Sequence, residues 1–268
     1  QMPLVDNYQG SGKKTAKINQ AKAQVPLLQH PSKPGDILFF MQWVEQLYNG
    51  PDYYHLQVGA FSADDDQDFF ASFLKRSSWG KVMVEPQPHV FKRLDAFAKT
   101  VPNMRAVEAA VCDKDQTVPF YMFHSDIDIY TGYDKRSGKT LPYYTAQLAS
   151  LNRKHLAKAR KNFEDAGLNM EEYIISKETP CLTISSVLAQ NNVPADRVVS
   201  LSIDVEGFDD IILLGTDLNT VRPSVIFFEC IHWWGDRQRL KKVLKHLADH
   251  GYMWWKIGYE IAAFRVGN

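Results

Sequence analysis

The sequence predicts an α/β domain with a mostly parallel, doubly wound sheet of about seven strands and an antiparallel C-terminal hairpin. Three observations carry this reading. Short apolar runs alternate with segments of helical apolar spacing along most of the chain. That alternation favours parallel strands joined by helical crossovers. The chain then ends in two apolar runs, Tyr252–Ile257 and Ile261–Val266, around Gly258, which is a hairpin signal and predicts an antiparallel edge strand.

In chain order, residues 1–36 read as a polar arm, and a domain is expected over 37–268. Leu38, Met41, Val44, Leu47 and Tyr48 recur at helical spacing, and Gly50-Pro51 ends that helix. Tyr53–Val58 is the first strand, and Asp64-Asp65-Asp66 open a helix to about Lys75. Lys81–Val84 is the second strand. Pro88 starts a helix that puts Val90, Phe91, Leu94, Phe97 and Ala98 on one side. Met104–Ala110, Val198–Ile203 and Ser224–Phe228 are the next core strands. Helices are expected over Asp209–Leu214 and Asp236–His250, the latter stopped by Gly251. An insertion, 117–185, interrupts the rhythm with a strand at Val118–Phe123, a polar loop and a helix over about Tyr144–Ala166. Asp126 and Asp128 alternate with Ile127 and Ile129, which reads as a strand with a solvated face. Such an insertion, on the carboxyl side of the sheet, is where a substrate cavity is shaped.

Composition narrows the function classes. Thirty-one basic residues balance 31 acidic ones. Zero net charge argues against a nucleic-acid partner, which requires uncompensated Lys and Arg to displace counterions. The three cysteines, Cys112, Cys181 and Cys230, have no metal-finger spacing, and their odd number argues against a disulfide framework. No apolar run has bilayer length and no signal-peptide core is visible. A reduced, soluble, cytoplasmic setting is therefore expected. The sequence is silent on oligomeric state.

In an open parallel sheet, ligands bind outside the carboxyl ends of the strands. Those ends read Gln57-Val58-Gly59-Ala60, Val84-Glu85-Pro86, Glu108-Ala109-Ala110, Ser202-Ile203-Asp204-Val205-Glu206-Gly207 and Phe228-Glu229-Cys230. Small residues at 59 and 60 let backbone approach a ligand. A carboxylate after the second strand can accept from both hydroxyls of a ribose. Taken singly these are turn glycines and helix caps; in this order on successive strands they form a pattern. His232, just after the fifth strand, and His124 are candidate general bases, His124 being read as a surface or supporting histidine. Asp204, Glu206 and Glu229 offer hard oxygen ligands, but spacing alone does not make a metal site and none is expected. Arg153, Lys154, Lys158, Arg160 and Lys161 form a basic run, read as a solvated helix face or a grip on an anionic substrate.

The pattern resembles the FkbM family of S-adenosylmethionine-dependent methyltransferases, over about residues 53–230. Its most specific block is Ser200-Leu201-Ser202-Ile203-Asp204-Val205-Glu206-Gly207-Phe208, trailed by Leu213-Leu214-Gly215. Pro223 with Val225–Glu229, then Val84-Glu85-Pro86-Gln87-Pro88 with Phe91, and Ala109-Ala110-Val111-Cys112-Asp113 match further family blocks, and Leu182-Thr183-Ile184 does so weakly. The resemblance implies a Rossmann-like class I methyltransferase fold with S-adenosyl-L-methionine as cofactor. It implies that Gln57, Gly59, Ala60 and Phe61 pass the methionine end, that Glu85 with Pro86 holds the ribose, and that Glu108 and Ala109 border the adenine. Asp204 then faces the transferred methyl group.

The family's first motif is Asp-Val-Gly-Ala-Asn-x-Gly; here it reads Gln57-Val58-Gly59-Ala60-Phe61-Ser62-Ala63. A neutral amide replaces the acid that would attract the cofactor's ammonium, and Phe61 and Ala63 replace Asn and Gly. Ser202 stands where a Lys usually precedes the central block. The implied function is O-methylation of a hydroxyl on a small-molecule or glycan acceptor, with Asp204, Glu206 and His232 removing the proton or orienting the acceptor. The alternative, resting on the altered first motif, is a catalytically silent binding or scaffold protein. RNA 2′-O-methylation wants lysines beside Asp204 or Glu229, and none adjoins them in sequence. A nicotinamide enzyme wants a G-x-G-x-x-G that is absent after the first strand.

Overall fold

A computed structural model of the chain describes residues 34–64, 71–231 and 236–266, with side chains from Leu38 onward. The arm expected over 1–36 lies outside the described residues except Pro34–Asp36, which open helix α1 (Pro34–Leu47). The helix start expected at Asp65 and Asp66 also lies outside them.

The core strands are β1 (Tyr54–Val58), β2 (Gly80–Val84), β3 (Met104–Val107), β8 (Val198–Ile203), β9 (Val225–Glu229), β10 (Tyr252–Ile257) and β11 (Glu260–Arg265). They form one sheet in the order β10-β11-β9-β8-β1-β2-β3. β3, β2, β1, β8 and β9 pair in parallel, and β11 pairs antiparallel with both β9 and β10. The antiparallel strand is thus one place in from the edge, not at it as the sequence suggested. The hairpin folds back so that β11 fills the gap beside β9 and leaves β10 outermost.

Helices cover both faces because apolar side chains point both ways from these strands. On one face Leu56, Val58, Leu201 and Ile203 meet Val187 and Leu188 of α5 (Ile184–Gln190), Ile212 and Leu213 of α6 (Asp209–Gly215), and Val243 and Leu247 of α7 (Arg237–Asp249). On the other, Met83, Val199 and Phe227 meet Met41 and Val44 of α1, Phe73 and Leu74 of α2 (Ala71–Arg76), and Leu94 and Ala98 of α3 (Pro88–Ala98). The ends follow local chemistry. Pro88 at the first turn starts α3, and Asp236 caps α7 by accepting from the Gln238 and Arg239 amides at 3.1 Å each.

The insertion differs from the sequence reading. A second sheet runs β4 (Ala110–Val111), β7 (Ile174–Leu182), β5 (Gln116–Phe123), β6 (Ala149–Ser150) in that order. The third strand expected over Met104–Ala110 therefore splits, and Glu108-Ala109 bridge the two sheets. The helix expected over Tyr144–Ala166 is broken into a 3₁₀ turn at Tyr143–Gln147, β6, a 3₁₀ helix at Arg153–Ala159 and α4 (Arg160–Asp165). The break is physical: β6 pairs with β5, and the Asn152 side chain accepts from the Lys154 amide, restarting the helix there. Asp126–Ile129 is not a strand. Asp128 Oδ1 accepts from the Tyr130 and Thr131 amides and closes a turn, while Ile127 and Ile129 are buried with Phe123, Leu156 and Phe163.

Cys112 and Cys181 form a disulfide across 69 residues, with Cys230 free and buried. This overturns the expectation from the odd cysteine count. Parallel pairing of β4 with β7 sets Ala110 opposite Cys181 and brings the two thiols together. The disulfide removes the support for a reduced setting. No helix among the described residues is long and apolar enough to cross a membrane.

Candidate functional site

A cavity of about 900 Å³ opens outside the carboxyl ends of β1, β2, β8 and β9, roofed by Tyr130, Tyr143, Gln147 and Leu151 of the insertion. Of the residues singled out in the sequence, Gln57, Gly59, Ala60, Phe61, Glu85, Pro86, Ala109, Asp204 and Glu206 all line it, as does Glu229. Glu108 does not: it is exposed and pairs with Lys177 at 2.8 Å. His232 lies outside the described residues. His124 is part of the insertion surface, 3.0 Å from Asp126.

The floor of the cavity is set by backbone contacts between neighbouring strand ends. The amides of Gly59 and Ala60 donate to Val84 O at 3.0 and 2.9 Å, and the Asp204 amide donates to Val58 O at 2.9 Å. After Gly59 the chain turns with Phe61 at φ 48° and Ala63 at φ 52°. Left-handed backbone costs a residue with a side chain about 1–2 kcal/mol. The two strained residues are those standing where the resembled motif has Asn and Gly, which adopt that conformation readily. The backbone shape is kept here without the residues that make it easy.

Glu85 is buried at the end of β2. Its Oε2 accepts from the Phe61 amide at 3.0 Å and its Oε1 from the Gln87 amide at 2.8 Å. Burial outweighs these bonds and pushes its pKa up to about 7. Each oxygen keeps a further lone pair. Gln57, 7% exposed, holds an Oε1 with no hydrogen-bond partner, and Gln87 does the same with its own Oε1. An unpaired buried acceptor is costly, by about 1–3 kcal/mol. His55, on the same side of β1 as Gln57, is buried, and burial lowers its pKa to about 4.

The other end of the cavity is acidic. Asp204 presents its side chain to the open cavity while protein packs closely around its remaining sides. Burial first, then Glu229, Asp209, Glu206 and Glu260, raise its pKa well above 3.8. Asp209, wholly buried at the start of α6, is raised to about 7, chiefly by burial. Asp210 beside it is held by the Arg239 guanidinium, which also donates to Gly207 O at 3.0 Å and so ties α7 to the Asp204–Gly207 loop. Glu206 sits at φ 57°, and its carboxylate lies 2.8 Å from His155 Nε2.

His155 and Lys158 were not picked out for this place in the sequence. Lys158 belongs to the basic run, and His155 falls within its span; the structure divides that run. Arg153 and Arg160 pair with Glu171, and Lys161 pairs with Asp165, so these are a solvated face, not a grip on an anion. Lys158 instead lies exposed beside His155, its Nζ 3.4 Å from His155 Nε2 and near enough to Glu206 and Glu229 to feel their charge. Neither side chain lines the cavity, but the insertion brings both beside Glu206 at the acidic strand end, and no spacing signal reveals it. Among the described residues, no three His, Cys, Asp or Glu side chains are grouped so as to hold a metal ion.

The model of the methyltransferase FkbM domain family matches residues 57–253. No curated protein matches the chain. Among solved structures, the FkbM methyltransferase from Methylobacillus flagellatus KT superposes with a TM-score of 0.44 at 11% identity, over 82% of this chain and 45% of that one. The chain thus spans less than half the length of that protein. Precorrin-6y C5,15-methyltransferase from Geobacter metallireducens GS-15 gives 0.38 at 14% identity, over 84% and 86% of the two chains. Aeropyrum pernix fibrillarin, solved with natively bound S-adenosyl-L-methionine, gives 0.37 at 11% identity, over 83% and 74%.

Proposed function

The chain belongs to the FkbM methyltransferase family, whose cofactor is S-adenosylmethionine, and on that premise we propose that it methylates a hydroxyl of a small molecule or a sugar. The observation that carries the proposal is the placement of Asp204, which lines the cavity together with Glu206, Glu229 and Glu260, where burial and their negative charges raise its pKa. A carboxylate made more basic by its surroundings is a better acceptor for a hydroxyl proton.

The residues present fit the cofactor. Gln57 offers an orphaned buried acceptor for an ammonium group, and Glu85 offers unused lone pairs to a pair of ribose hydroxyls. Gly59, Ala60 and Phe61 border the methionine end, and Pro86 and Ala109 the nucleoside. When bound, S-adenosylmethionine supplies a methyl carbon activated by a sulfonium. The protein's part is to seat the acceptor oxygen in line with that carbon and to remove its proton. Asp204 takes the proton. Glu206, fixed by His155, accepts from the acceptor's hydroxyls and orients it. The acidic rim favours an uncharged hydroxyl compound over a phosphorylated one.

A silent binding protein is the second reading, favoured by the neutral Gln57 and the strained turn at Phe61 and Ala63. Incubation with methyl-labelled cofactor and a panel of sugars and small alcohols separates the two. Label should appear as an ether on one acceptor class and be lost in Asp204→Asn. Cofactor binding without transfer to any acceptor would select the silent reading, and label on nitrogen would overturn the oxygen assignment.

A further inference from the structure

We propose that Tyr130, contributed by the insertion, is a positioning residue that clamps the turn Gly59–Asp64 into the shape that receives the cofactor. The inference rests on the placement of S-adenosylmethionine in this cavity.

The turn is held from two sides. At its start, the Phe61 amide donates to Glu85 at 3.0 Å. At its far end, the Tyr130 hydroxyl is 2.6 Å from Ser62 Oγ and 3.0 Å from Asp64 Oδ1. A phenol has one proton and two lone pairs, so it can donate to one of these groups while accepting from the Ser62 hydroxyl. Ser62 is wholly buried, so its hydroxyl requires a partner, and Tyr130 provides it. The Tyr130 ring is fixed as well. Its edge meets the Phe61 ring at 5.9 Å, and the Arg93 guanidinium lies 4.0 Å over its face while reaching Asp64 at 3.5 Å. Its backbone is set by the Asp128 turn, whose carboxylate accepts from the Tyr130 amide at 3.0 Å.

The reason for such a clamp lies in the turn itself. Phe61 and Ala63 both occupy left-handed backbone that their side chains disfavour. Left unheld, the turn would relax and move the wall of the cavity that Phe61 and Ala63 form. A hydroxyl from the insertion that grips Ser62, the residue between them, opposes that relaxation. The insertion thus completes the cofactor side of the cavity besides roofing it.

The test uses the whole chain and two readouts, amide hydrogen exchange over residues 61–64 without ligand and titration with S-adenosylhomocysteine. Tyr130→Phe removes only the hydroxyl. It should speed exchange over the turn and weaken binding by about tenfold, with the melting temperature falling by only a few degrees as the buried Ser62 hydroxyl loses a partner. Adding Ala63→Gly, which removes one source of strain, should recover most of that affinity. Unchanged exchange in Tyr130→Phe would overturn the clamp. Faster exchange with unchanged affinity, or no recovery with Ala63→Gly, would leave Tyr130 a structural contact and overturn its positioning role. If the unmodified protein itself fails to bind S-adenosylhomocysteine, the cofactor placement falls and the positioning role with it, whatever the exchange shows.

Discussion

The carbonyl oxygen of Asp204 occupies the space that a side chain at Gly59 would need: a Cβ there would lie 1.7 Å from it. The contact arises because β1 and β8 are parallel neighbours whose ends turn over one another, with Gly59 at φ 76°. Gly59→Ala must both adopt disfavoured backbone and push the Asp204 loop aside. Its cost in stability should be about 3 kcal/mol or more, adding left-handed strain to overpacking. Chemical denaturation checks this, and cofactor binding should be lost with it. A variant as stable as the parent would mean that the two turns do not pack this way.

How far the sequence foretold these features depends on whether the cause was local. The parallel strands were legible because they are buried on both faces and read as short apolar runs, as in the all-buried β2. β7 was missed because most of Ile174–Leu182 is exposed and polar and contains Pro180, so neither alternation nor an apolar run marks it. The helical reading of 144–166 followed Leu148, Leu151 and Leu156, but only Leu156 lies in a helical segment, Leu148 and Leu151 being half-buried in the links on either side of β6. That Gln57, Glu85 and Asp204 line one cavity was legible because strand ends dictate where they sit. Tyr130 reaches the cavity, and His155 and Lys158 come beside Glu206, only through the fold of the insertion, which no short-range pattern encodes.

Glu85 gives the site a pH dependence whose sign follows from its raised pKa. With a folded-state value of about 7 against 4.5 unfolded, the folded chain binds the extra proton between those pH values. Its contribution to stability is therefore full below about pH 4.5 and is lost as pH rises through about 7. Ribose hydroxyls donate to the ionised form, so cofactor binding should tighten from pH 6 to pH 8, while Glu85→Ala should weaken it by about 2–4 kcal/mol. Calorimetric titration across that range reads both effects. A flat profile with an unaffected alanine variant would remove Glu85 from the site.

The Cys112–Cys181 disulfide closes a loop of 69 residues that contains β5, β6 and α4. Loop-closure entropy for that length corresponds to about 4 kcal/mol, less whatever structure the reduced unfolded chain retains. Replacing both cysteines by serine should lower the denaturation midpoint accordingly, and reductant should do the same to the parent but not to the double variant. Because Ala110 and Val111 of β4 line the cavity, cofactor affinity should fall along with stability.

Gln57 and Asp204 close adjacent parallel strands and face the same cavity, so their charges answer to one another. A cofactor carrying an ammonium and a sulfonium is drawn to negative potential, and with Gln57 neutral that potential comes from Asp204 and its acidic neighbours. Asp204→Asn should therefore lower cofactor affinity and abolish turnover while relieving carboxylate crowding, leaving the melting temperature unchanged or higher. Gln57→Asp should act in the opposite sense. It restores an anion beside the ammonium and should tighten binding by about 1 kcal/mol or more. It also adds a buried charge near Asp204, so the ligand-free protein should be less stable than the parent at pH 8 and regain that loss at pH 5, where the carboxyls take up protons. Paired titrations with S-adenosylhomocysteine and melting curves at the two pH values measure both halves. Affinity unchanged in both variants would mean that the acidic end of the cavity does not sense the cofactor's charge, and the assignment of proton removal to Asp204 would fall with it.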